Sequence, residues 1–598
     1  MTIAPQADWQ RAAALADLDP HGLKTVHVGN YTLVLWRYDG QVYALDNRCP
    51  HMGFPLDRGT CSDGILTCHW HNARFDLRTG GAFDQFADDV QVFLVELRGE
   101  EIWVNVAQER DPRAYYRSRL HDGLEQDIRL VLAKSAIALL DGAGASANSG
   151  QASREPFRIG LEFGVRNRRM GWGRGLTMLT CLANILPHLD ADDRPRALFH
   201  GLDAVSRDTF GAAPRFVLKP LPGATPGVAT LKHWLRQFLA VRDNEGAERV
   251  VVSAVRAGVS PVDLADMLFA AATDYRYIQI GHALDFINKA FESLDIAGWE
   301  PELAELVLSS VVRGIAQGDR QEESNAWRHP IDLVAILENA FPQIDSAMAA
   351  GQERNGAWQG RATLAQQILE DDPHGNVEAL LQALRDGATA EQLAGAVNYA
   401  AALRIARFHT SNEFGDWDTT LHTFTFANAV HMGLRRLAAR GSGETAPPDL
   451  LRGVFDAAMS IYLDRFLNVP PARIPAPAPN GDAPGVILDE LLPLLDRQQQ
   501  VNPAGEVVAR YLAANGDDQR LLAMLGRALL REDRDFHTIQ TIEAAFNQYQ
   551  LLRGMPEAAH VLIAAARYLA AHAPTPRAQG QTYQIALRLH RGDKLFEG

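Results

Sequence analysis

The stretch RCPHMGFPLDRGTCSDGILTCHWHNARFDLRTGGAF, residues 48–83, carries the clearest chemical signal in this chain. It contains two pairs of a cysteine and a histidine, Cys49 with His51 and Cys68 with His71, separated by sixteen residues. Thiolates and imidazoles on two such loops are the ligands that a [2Fe–2S] cluster takes when cysteines hold one iron and histidines the other. The stretch therefore predicts an iron–sulfur site with these four side chains as ligands.

A zinc site and buried free thiols are the other interpretations of these four side chains. Two cysteines and two histidines can bind zinc, but the spacing here differs from that of a zinc finger. The flanking segments TVHVGNYTLVLWRYDGQVYAL (25–45) and VQVFLVELRGEEIWVNV (90–106) alternate β-branched or aromatic residues with polar ones. That pattern is typical of short β-strands joined by turns. A short helix is predicted before them, at about residues 7–17.

Residues 23–106 resemble the Rieske [2Fe–2S] family in the ligand spacing, in the flanking strands and in the downstream Phe75-Asp76 and Gly80-Gly81. The resemblance implies a small all-β domain, at residues 23–108, that transfers single electrons. It also implies that the cluster is held by the four residues named above: Cys49, His51, Cys68 and His71. Asn72 replaces the glycine that is common after the second histidine ligand.

Other departures from the family pattern indicate a low reduction potential. High-potential members have two further cysteines that bridge the ligand loops, and those positions look like Phe54 and Trp70 here. They also place hydroxyl donors near the cluster, where this chain has Ala73 and Phe75. With fewer hydrogen bonds to the sulfurs, the more negative reduced cluster is stabilised less. We therefore expect a potential near the ~−150 mV end of the Rieske range, as in oxygenase-associated ferredoxins.

After Ala107 the sequence becomes rich in Ala, Leu and Arg, with apolar residues three and four positions apart. This is the period of an amphipathic helix, and we expect almost no sheet beyond residue 110. The predicted fold is multidomain: a small all-β Rieske domain followed by a large all-α domain with internal helical repeats. The predicted boundaries are an N-terminal helix and lead-in at 1–22, the β domain at 23–108, helical halves at 114–345 and 346–598, and a Pro/Ala linker at 470–485.

Three segments of the helical part align: VVSAVRAGVSPVDLADML, ALLQALRDGATAEQLAGAV and VARYLAANGDDQRLLAML. Each contains a glycine, 129 residues from the next, where one helix should end in the left-handed conformation. Each also has an N-cap residue two positions later. The glycines are Gly258, Gly387 and Gly516, and the caps are Ser260, Thr389 and Asp518. A second internal similarity pairs residues 171–186 with 416–431. The alternative explanation of both patterns is chance similarity between Ala/Leu-rich helices of one bundle.

Composition limits the classes of function. The 598 residues are too many for one hydrophobic core. The formal net charge of −15 argues against binding of nucleic acid or of an anionic membrane, since both need a basic surface. No apolar run approaches the ~18 residues of a membrane span, and the N-terminus lacks the pattern of a secretory signal. Four cysteines, two of them in the cluster motif, are too few for a disulfide framework, so we expect a cytoplasmic protein.

Histidines of the helical part suggest a second metal site. His282, His409 and His537 lie 21 to 24 residues after the three repeat glycines. The motifs YIQIGHALDFINKAF (277–291) and LHTFTFANAVH (421–431) resemble the questin oxidase-like family, helical oxygenases of aromatic polyketides with a His-rich iron site in some members. The resemblance implies a mononuclear non-haem iron held by some of a larger set: His200, His282, His422 and His431. Glu413 is a candidate carboxylate because it lies four residues after His409, on the same face of a continuous helix. The alternative is that these histidines only pack or hydrogen-bond in the core.

These patterns together predict an O₂-dependent oxidoreductase. The cluster would pass electrons to the iron of the helical domain, where a small organic substrate would be oxygenated. The resemblance implies that this substrate is an aromatic compound. No Gly-x-Gly-x-x-Gly motif precedes a helix, so the electrons should come from a separate reductase. One alternative is a non-catalytic electron carrier whose helical repeats dock protein partners. Another is a regulator in which the cluster senses the redox state.

Overall fold

The computed structural model describes most of the chain: residues 9–18, 21–84, 86–106, 111–141, 149–438, 448–468, 470–476, 481–591 and 593. Positions 7–8 of the predicted N-terminal helix and positions 477–480 of the predicted linker lie outside these ranges. No helix within the ranges is both long and apolar enough to cross a membrane.

The N-terminal part is an antiparallel β domain with two sheets. Its strands are β1 Trp9–Ala14, β2 Leu23–Val28, β3 Tyr31–Tyr38, β4 Gln41–Asp46, β5 Thr60–Ser62, β6 Ile65–Thr67, β7 Arg74–Asp76, β8 Val92–Arg98 and β9 Glu101–Asn105. The larger sheet has the order β1-β9-β8-β4-β3-β2, and the smaller has the order β5-β6-β7. Each pair of neighbouring strands is antiparallel.

Strand β3 explains how the sheet supports the ligand loops. Successive side chains of a strand point to opposite faces of the sheet. A strand with consecutive apolar residues therefore buries both of its faces. Leu33 and Leu35 pack into one hydrophobic cluster. Val34 packs into the other, which also contains Cys49 and Cys68. The two predicted thiolate ligands therefore belong to the core of the domain.

The N-terminal helix predicted over residues 7–17 is wrong for the described part of that range. Trp9–Ala14 instead form strand β1, which pairs with β9 from Trp9 opposite Asn105 to Ala14 opposite Glu101. A short 3₁₀ turn, Leu15–Asp17, follows. Alanine-rich segments favour helices, but the open edge of β9 offers a row of unpaired backbone groups, and pairing with it outweighs local propensity.

The rest of the described chain is helical, and no strand follows β9 in it, as the predicted fold class requires. The helices are α1 Pro112–Gln126, α2 Arg129–Asp141, α3 Ser149–Arg166, α4 Arg174–Ile185, α5 Arg194–Thr209, α6 Val228–Ala240, α7 Asn244–Arg256, α8 Pro261–Ala272, α9 His282–Ala297, α10 Pro301–Gln317, α11 Asn325–Arg328, α12 Leu333–Ala340, α13 Ile344–Gly351, α14 Arg361–Ile368, α15 Pro373–Arg385, α16 Ala390–Ala406, α17 Phe414–Ala438, α18 Arg452–Leu463, α19 Pro484–Asp489, α20 Leu491–Leu495, α21 Val501–Ala513, α22 Asp518–Leu530, α23 Phe536–Leu552, α24 Ala558–Ala571 and α25 Ala578–Arg591.

Contacts between residues divide the chain into two compact units. The first comprises the described residues of 1–146 and 581–598, and the second those of 147–580. Helices α1 and α2 thus group with the β domain, beyond the predicted boundary at residue 108. The division into halves at 114–345 and 346–598 stays a prediction about internal repetition.

Two of the three predicted helix junctions have the expected geometry. Gly258 and Gly387 end α7 and α15 with φ of +71° and +93°. Ser260 caps α8 by accepting a hydrogen bond from the N–H of Asp263. Thr389 caps α16 in a reciprocal capping box. Both predictions follow from backbone groups at helix ends that need partners.

The third junction is shifted by one residue. The left-handed position after α21 is Asn515, with φ of 54°, and not Gly516. The N-cap of α22 is Asp517 and not Asp518. Glycine at 516 has another reason, because a Cβ there would lie 2.3 Å from the ring of Tyr511. Asparagine tolerates the left-handed region better than other non-glycine residues, which permits the shift.

Candidate metal centres

The two ligand loops of the β domain are closed by backbone hydrogen bonds. Cys49 follows β4, and its N–H donates to the carbonyl of Phe54 at 2.8 Å. Cys68 follows β6, and its N–H donates to the carbonyl of Ala73 at 2.8 Å. Asn72 has φ of 60°, so asparagine adopts here the left-handed conformation for which the family glycine is suited. Tight turns thus hold each cysteine close to its histidine.

Both cysteine sulfurs accept hydrogen bonds from the backbone. The N–H groups of His51 and Met52 donate to the sulfur of Cys49, and those of Trp70 and His71 donate to the sulfur of Cys68. The hydrogen bond between the two thiols lowers the pKa of Cys68 to about 6 and raises that of Cys49. Sulfurs that accept N–H groups are suited to the negative charge of a cluster.

The two imidazoles of the loops lie side by side. The ring centroids of His51 and His71 are 4.8 Å apart, and the rings are nearly perpendicular. Burial, and then the charges of His71 and Lys134, lower the pKa of His51 to about 4, so its ring is neutral at physiological pH. Two thiols and two imidazoles on facing loops fit a [2Fe–2S] cluster, since neutral imidazoles can bind the second iron.

Three histidines of the helical unit converge at a second place. His282 begins α9, His422 lies on α17, and His537 is the second residue of α23. The Nε2 atom of His422 is 3.1 Å from Nε2 of His282 and 3.2 Å from Nε2 of His537. One ligand atom from each of the three lies within 4.8 Å of the others. We call His282, His422 and His537 the histidine trio.

The environment keeps the trio neutral and oriented. Burial, followed by the neighbouring imidazoles, lowers the pKa of His282 to about 2. Burial also lowers the pKa of His422 to about 4 and lowers that of His537. The His422 ring donates a hydrogen bond to the main-chain carbonyl of Asp418, which leaves Nε2 as its lone-pair atom. Nδ1 of His537 lies 3.8 Å from a carboxylate oxygen of Asp535.

The positions of the trio follow the pattern of the predicted repeats. Helices α9, α17 and α23 each follow the capped helix of one repeat. His282 and His537 occupy similar places at the starts of their helices, whereas the second repeat contributes His422 and not His409. The sequence signal for His537 was its distance from Gly516, but the ligand set predicted from sequence omitted it.

The other residues predicted for the second site lie elsewhere. His200, on α5, is buried, and the pKa of its ring is lowered to about 3 by burial and then by Arg196. His431 is nine residues from His422 on α17, and its Nδ1 lies 3.0 Å from the side-chain oxygen of Gln548. Glu413 is exposed just before α17. The structure therefore brings two of the five predicted residues together and adds His537.

Behind the trio, polar side chains line the facing sides of α9 and α23. Gln540 donates to Asp285, and the fully buried Lys289 binds Glu543 at 2.7 Å and Glu292 at 2.8 Å. We call Asp285, Lys289, Glu292, Gln540 and Glu543 the polar ladder. Burial raises the pKa of Asp285 well above its usual range. This feature could not be predicted from the sequence, since nothing local marks charged residues of amphipathic helices as buried.

The N-terminal part of the chain is similar to known proteins. Residues 8–118 match the family described as Rieske [2Fe–2S] domain. Human apoptosis-inducing factor 3 is 32% identical over 94 residues, which are 16% of this chain and 16% of that protein, so the chain spans about a sixth of its length. Ferredoxin CarAc of Metapseudomonas resinovorans is 30% identical over 98 residues, 16% of this chain and 92% of the ferredoxin. The solved ferredoxin of carbazole 1,9a-dioxygenase from Nocardioides aromaticivorans IC177 is 30% identical, covering 16% of this chain and 96% of that one with a TM-score of 0.16.

The family match and the similarity to ferredoxin CarAc agree with the ligand loops described above. Homology to ferredoxins such as CarAc supports electron transfer as the activity of the N-terminal domain. Through that domain, the chain belongs to the Rieske [2Fe–2S] domain family.

Proposed function

We propose that this protein is an O₂-dependent oxidoreductase with two metal centres. Cys49, His51, Cys68 and His71 hold the [2Fe–2S] cluster, and the histidine trio holds a mononuclear non-haem iron at which an organic substrate is oxygenated. The observation that carries the proposal is the convergence of the three trio nitrogens in the helical unit.

The spacing of these nitrogens supports a metal site. Metal–nitrogen bonds of 2.0–2.1 Å at tetrahedral angles or at the right angles of an octahedron place two ligand nitrogens about 2.8–3.4 Å apart. The two distances from His422 Nε2, 3.1 and 3.2 Å, fall in that range. Neutral nitrogens this close to each other repel through their lone pairs unless a proton or a cation lies between them. Such a proton would belong to a neutral ring, since burial lowers the pKa of His282 to about 2.

The electron supply favours iron over zinc at the trio. Imidazoles bind zinc, copper, iron and nickel, but zinc cannot accept the single electrons that a Rieske cluster delivers. Bound iron would supply the activation of O₂. The protein's residues hold the imidazoles neutral, orient His422 through Asp418 and flank His282 with the rings of Phe286 and Phe536. Those rings suit an apolar or aromatic substrate.

Protein partners follow from the same proposal. Relatives of the N-terminal domain are ferredoxins of dioxygenases, and a ferredoxin-type domain needs an electron donor. We therefore propose a separate reductase as a partner. We also propose a cytoplasmic location, since the four cysteines are free thiols, two of them in the proposed ligand set.

The test is iron and acid-labile sulfide per chain on anaerobically purified protein, with EPR of the reduced state. We expect about three iron and about two sulfide per chain, the extra iron giving a high-spin non-haem signal. His422→Ala should lose that signal and keep the Rieske signal. His431→Ala is the matched control, because it removes a buried imidazole of the same helix that lies outside the trio. Loss of the high-spin signal in the control alone would contradict the ligand assignment.

A non-catalytic electron carrier is the second candidate function. It is favoured by the match of this chain to 92% of the ferredoxin CarAc. Iron equal to sulfide, at about two per chain, without O₂ consumption, would favour the carrier and reject the second iron. A full complement of the third iron would reject the carrier.

A further inference from the structure

Helix α2 reaches the cluster loop through one lysine. The ammonium group of Lys134 donates a hydrogen bond to the carbonyl of Pro50 at 3.0 Å. Pro50 stands between the proposed ligands Cys49 and His51. Lys134 lies outside residues 8–118, which match the Rieske domain, so this contact is a feature added by the helices of this chain.

A buried ion network holds Lys134 in this place. The carboxylate of Asp88, 5% exposed, pairs with Lys134 and with Arg119 of α1. Two cations share one carboxylate, so the three charges together are positive. Arg119 also pairs with the more exposed Asp122, whose charge is better screened by solvent. Within this network it is Lys134 whose positive charge contacts the loop that holds two of the four proposed ligands.

The contact acts on a ligand sulfur through a single peptide unit. The Pro50 carbonyl and the His51 N–H belong to the same amide group, and that N–H donates to the sulfur of Cys49. A cation that binds the carbonyl polarises the amide and strengthens its N–H as a donor, because linked hydrogen bonds reinforce each other. Reduction adds one electron to the cluster, and stronger donors to its sulfurs stabilise the added charge.

We propose that Lys134 is a positioning residue that raises the reduction potential of the [2Fe–2S] cluster by acting through the Pro50–His51 peptide. It partly replaces the hydroxyl donors that Ala73 and Phe75 cannot supply. The inference rests on the proposed cluster ligands and is independent of the second iron. Sulfide content and the wild-type Rieske EPR signal test the ligands separately.

The experiment is voltammetry of the full chain on an electrode, which supplies the single electron, with EPR of each variant. Lys134→Met should lower the reduced-to-oxidised ratio at a fixed potential by up to about tenfold, equal to about 59 mV for a one-electron couple. Lys134→Arg keeps the charge and should retain most of the wild-type potential. Lys24→Met is the matched control, since it removes the same charge from strand β2.

Asp88→Asn gives a second test with the opposite sign. The asparagine keeps a side-chain oxygen that can accept from Lys134 but has no negative charge, so the cation at Pro50 is less compensated and the potential should rise. A role of the network in folding alone would not produce opposite shifts. An unchanged potential in Lys134→Met, or an equal shift in Lys24→Met, overturns the proposal. If Lys134→Met does not incorporate a cluster, Asp88→Asn decides: a rise supports the proposal, and no change or a fall rejects it.

Discussion

The proposed cluster ligands lie within residues 49–71, whereas the histidine trio extends from residue 282 to residue 537. The first site is local, because two short loops and their turn residues determine it. The second is formed by tertiary packing, because three helices from different repeats must meet before any ligand set exists. Local sites can be recognised from spacing, while sites of the second kind need the fold. The two proposed metal centres should therefore respond differently to substitution.

The largest expected effect is at the local site. Cys68→Ala should remove the cluster, so that acid-labile sulfide falls to near zero, because an iron with an incomplete ligand set is not held. Cys61→Ala is the matched control, since Cys61 is a half-buried free cysteine between the two loops. Sulfide content of both variants provides the measurement. Retention of the cluster in Cys68→Ala would reject the ligand assignment.

The next effect distinguishes the trio from the ligand set predicted by sequence. His537→Ala should weaken iron binding at the proposed second site at least about tenfold, since losing a direct ligand costs no less than losing an outer partner. His200→Ala should leave that iron in place, because His200 lies outside the trio. Titration of iron into the metal-free full chain, followed by high-spin EPR, measures both. The reverse ranking would restore the sequence-based set and remove His537.

A third prediction tests whether the two regions unfold independently. Arg276 and Asp456 form a buried ion pair at 2.8 Å in the helical unit. Arg276→Met should cost about 3–5 kcal/mol, because it leaves a buried carboxylate unpaired. Chemical unfolding of the helical unit, followed by circular dichroism, should show the loss while the Rieske absorption keeps its own midpoint.

The control for this prediction is a pair on the surface. Arg385 and Glu378 are 2.6 Å apart, and the glutamate side chain is 63% exposed. Arg385→Met should cost less than about 1 kcal/mol. Equal losses in the two variants would show that burial does not determine the effect.

The smallest effect concerns pH. Burial raises the pKa of Asp464 from 3.8 to about 7, although the hydrogen bond from Thr423 and the charge of Arg404 both lower it. The folded state then binds this proton more tightly than the unfolded state, so stability falls as pH rises from about 4 to about 7. Asp464→Asn should remove that part of the slope, up to roughly 4 kcal/mol. Unfolding free energies of wild type and variant at pH 5 and pH 8 measure it, and parallel pH profiles would contradict the shift.

Much of the fold could be predicted because its signals are local. The alternation in β3 predicts a strand, and the caps Ser260 and Thr389 mark helix starts that the structure confirms. Strand β1 could not be predicted, because its pairing depends on an edge formed by β9 almost a hundred residues later. Local propensity and tertiary pairing disagreed there, and pairing determined the result.

The second site was predictable only in part. His282 and His422 were selected from motifs and lie together, while His431, on the same helix as His422, faces Gln548. Each residue of a helix is rotated by about one hundred degrees from the one before it, so two side chains nine residues apart point in nearly opposite directions. One straight helix therefore cannot direct both histidines at one ion. His537 required knowing that α23 packs against α9 and α17.

The polar ladder restricts which substitutions this chain can accept during evolution. Lys289 is the one ammonium of the ladder beside three carboxyl groups. Replacing it alone removes the cation that Glu292 and Glu543 share, while replacing one carboxylate alone is milder. Intermediates that lose the lysine first should be purged by selection. We expect Asp285, Lys289 and Glu543 to be inherited as a block, changing together or not at all. In an alignment of distant relatives, these three positions should then vary together, even where the surface residues are no longer similar.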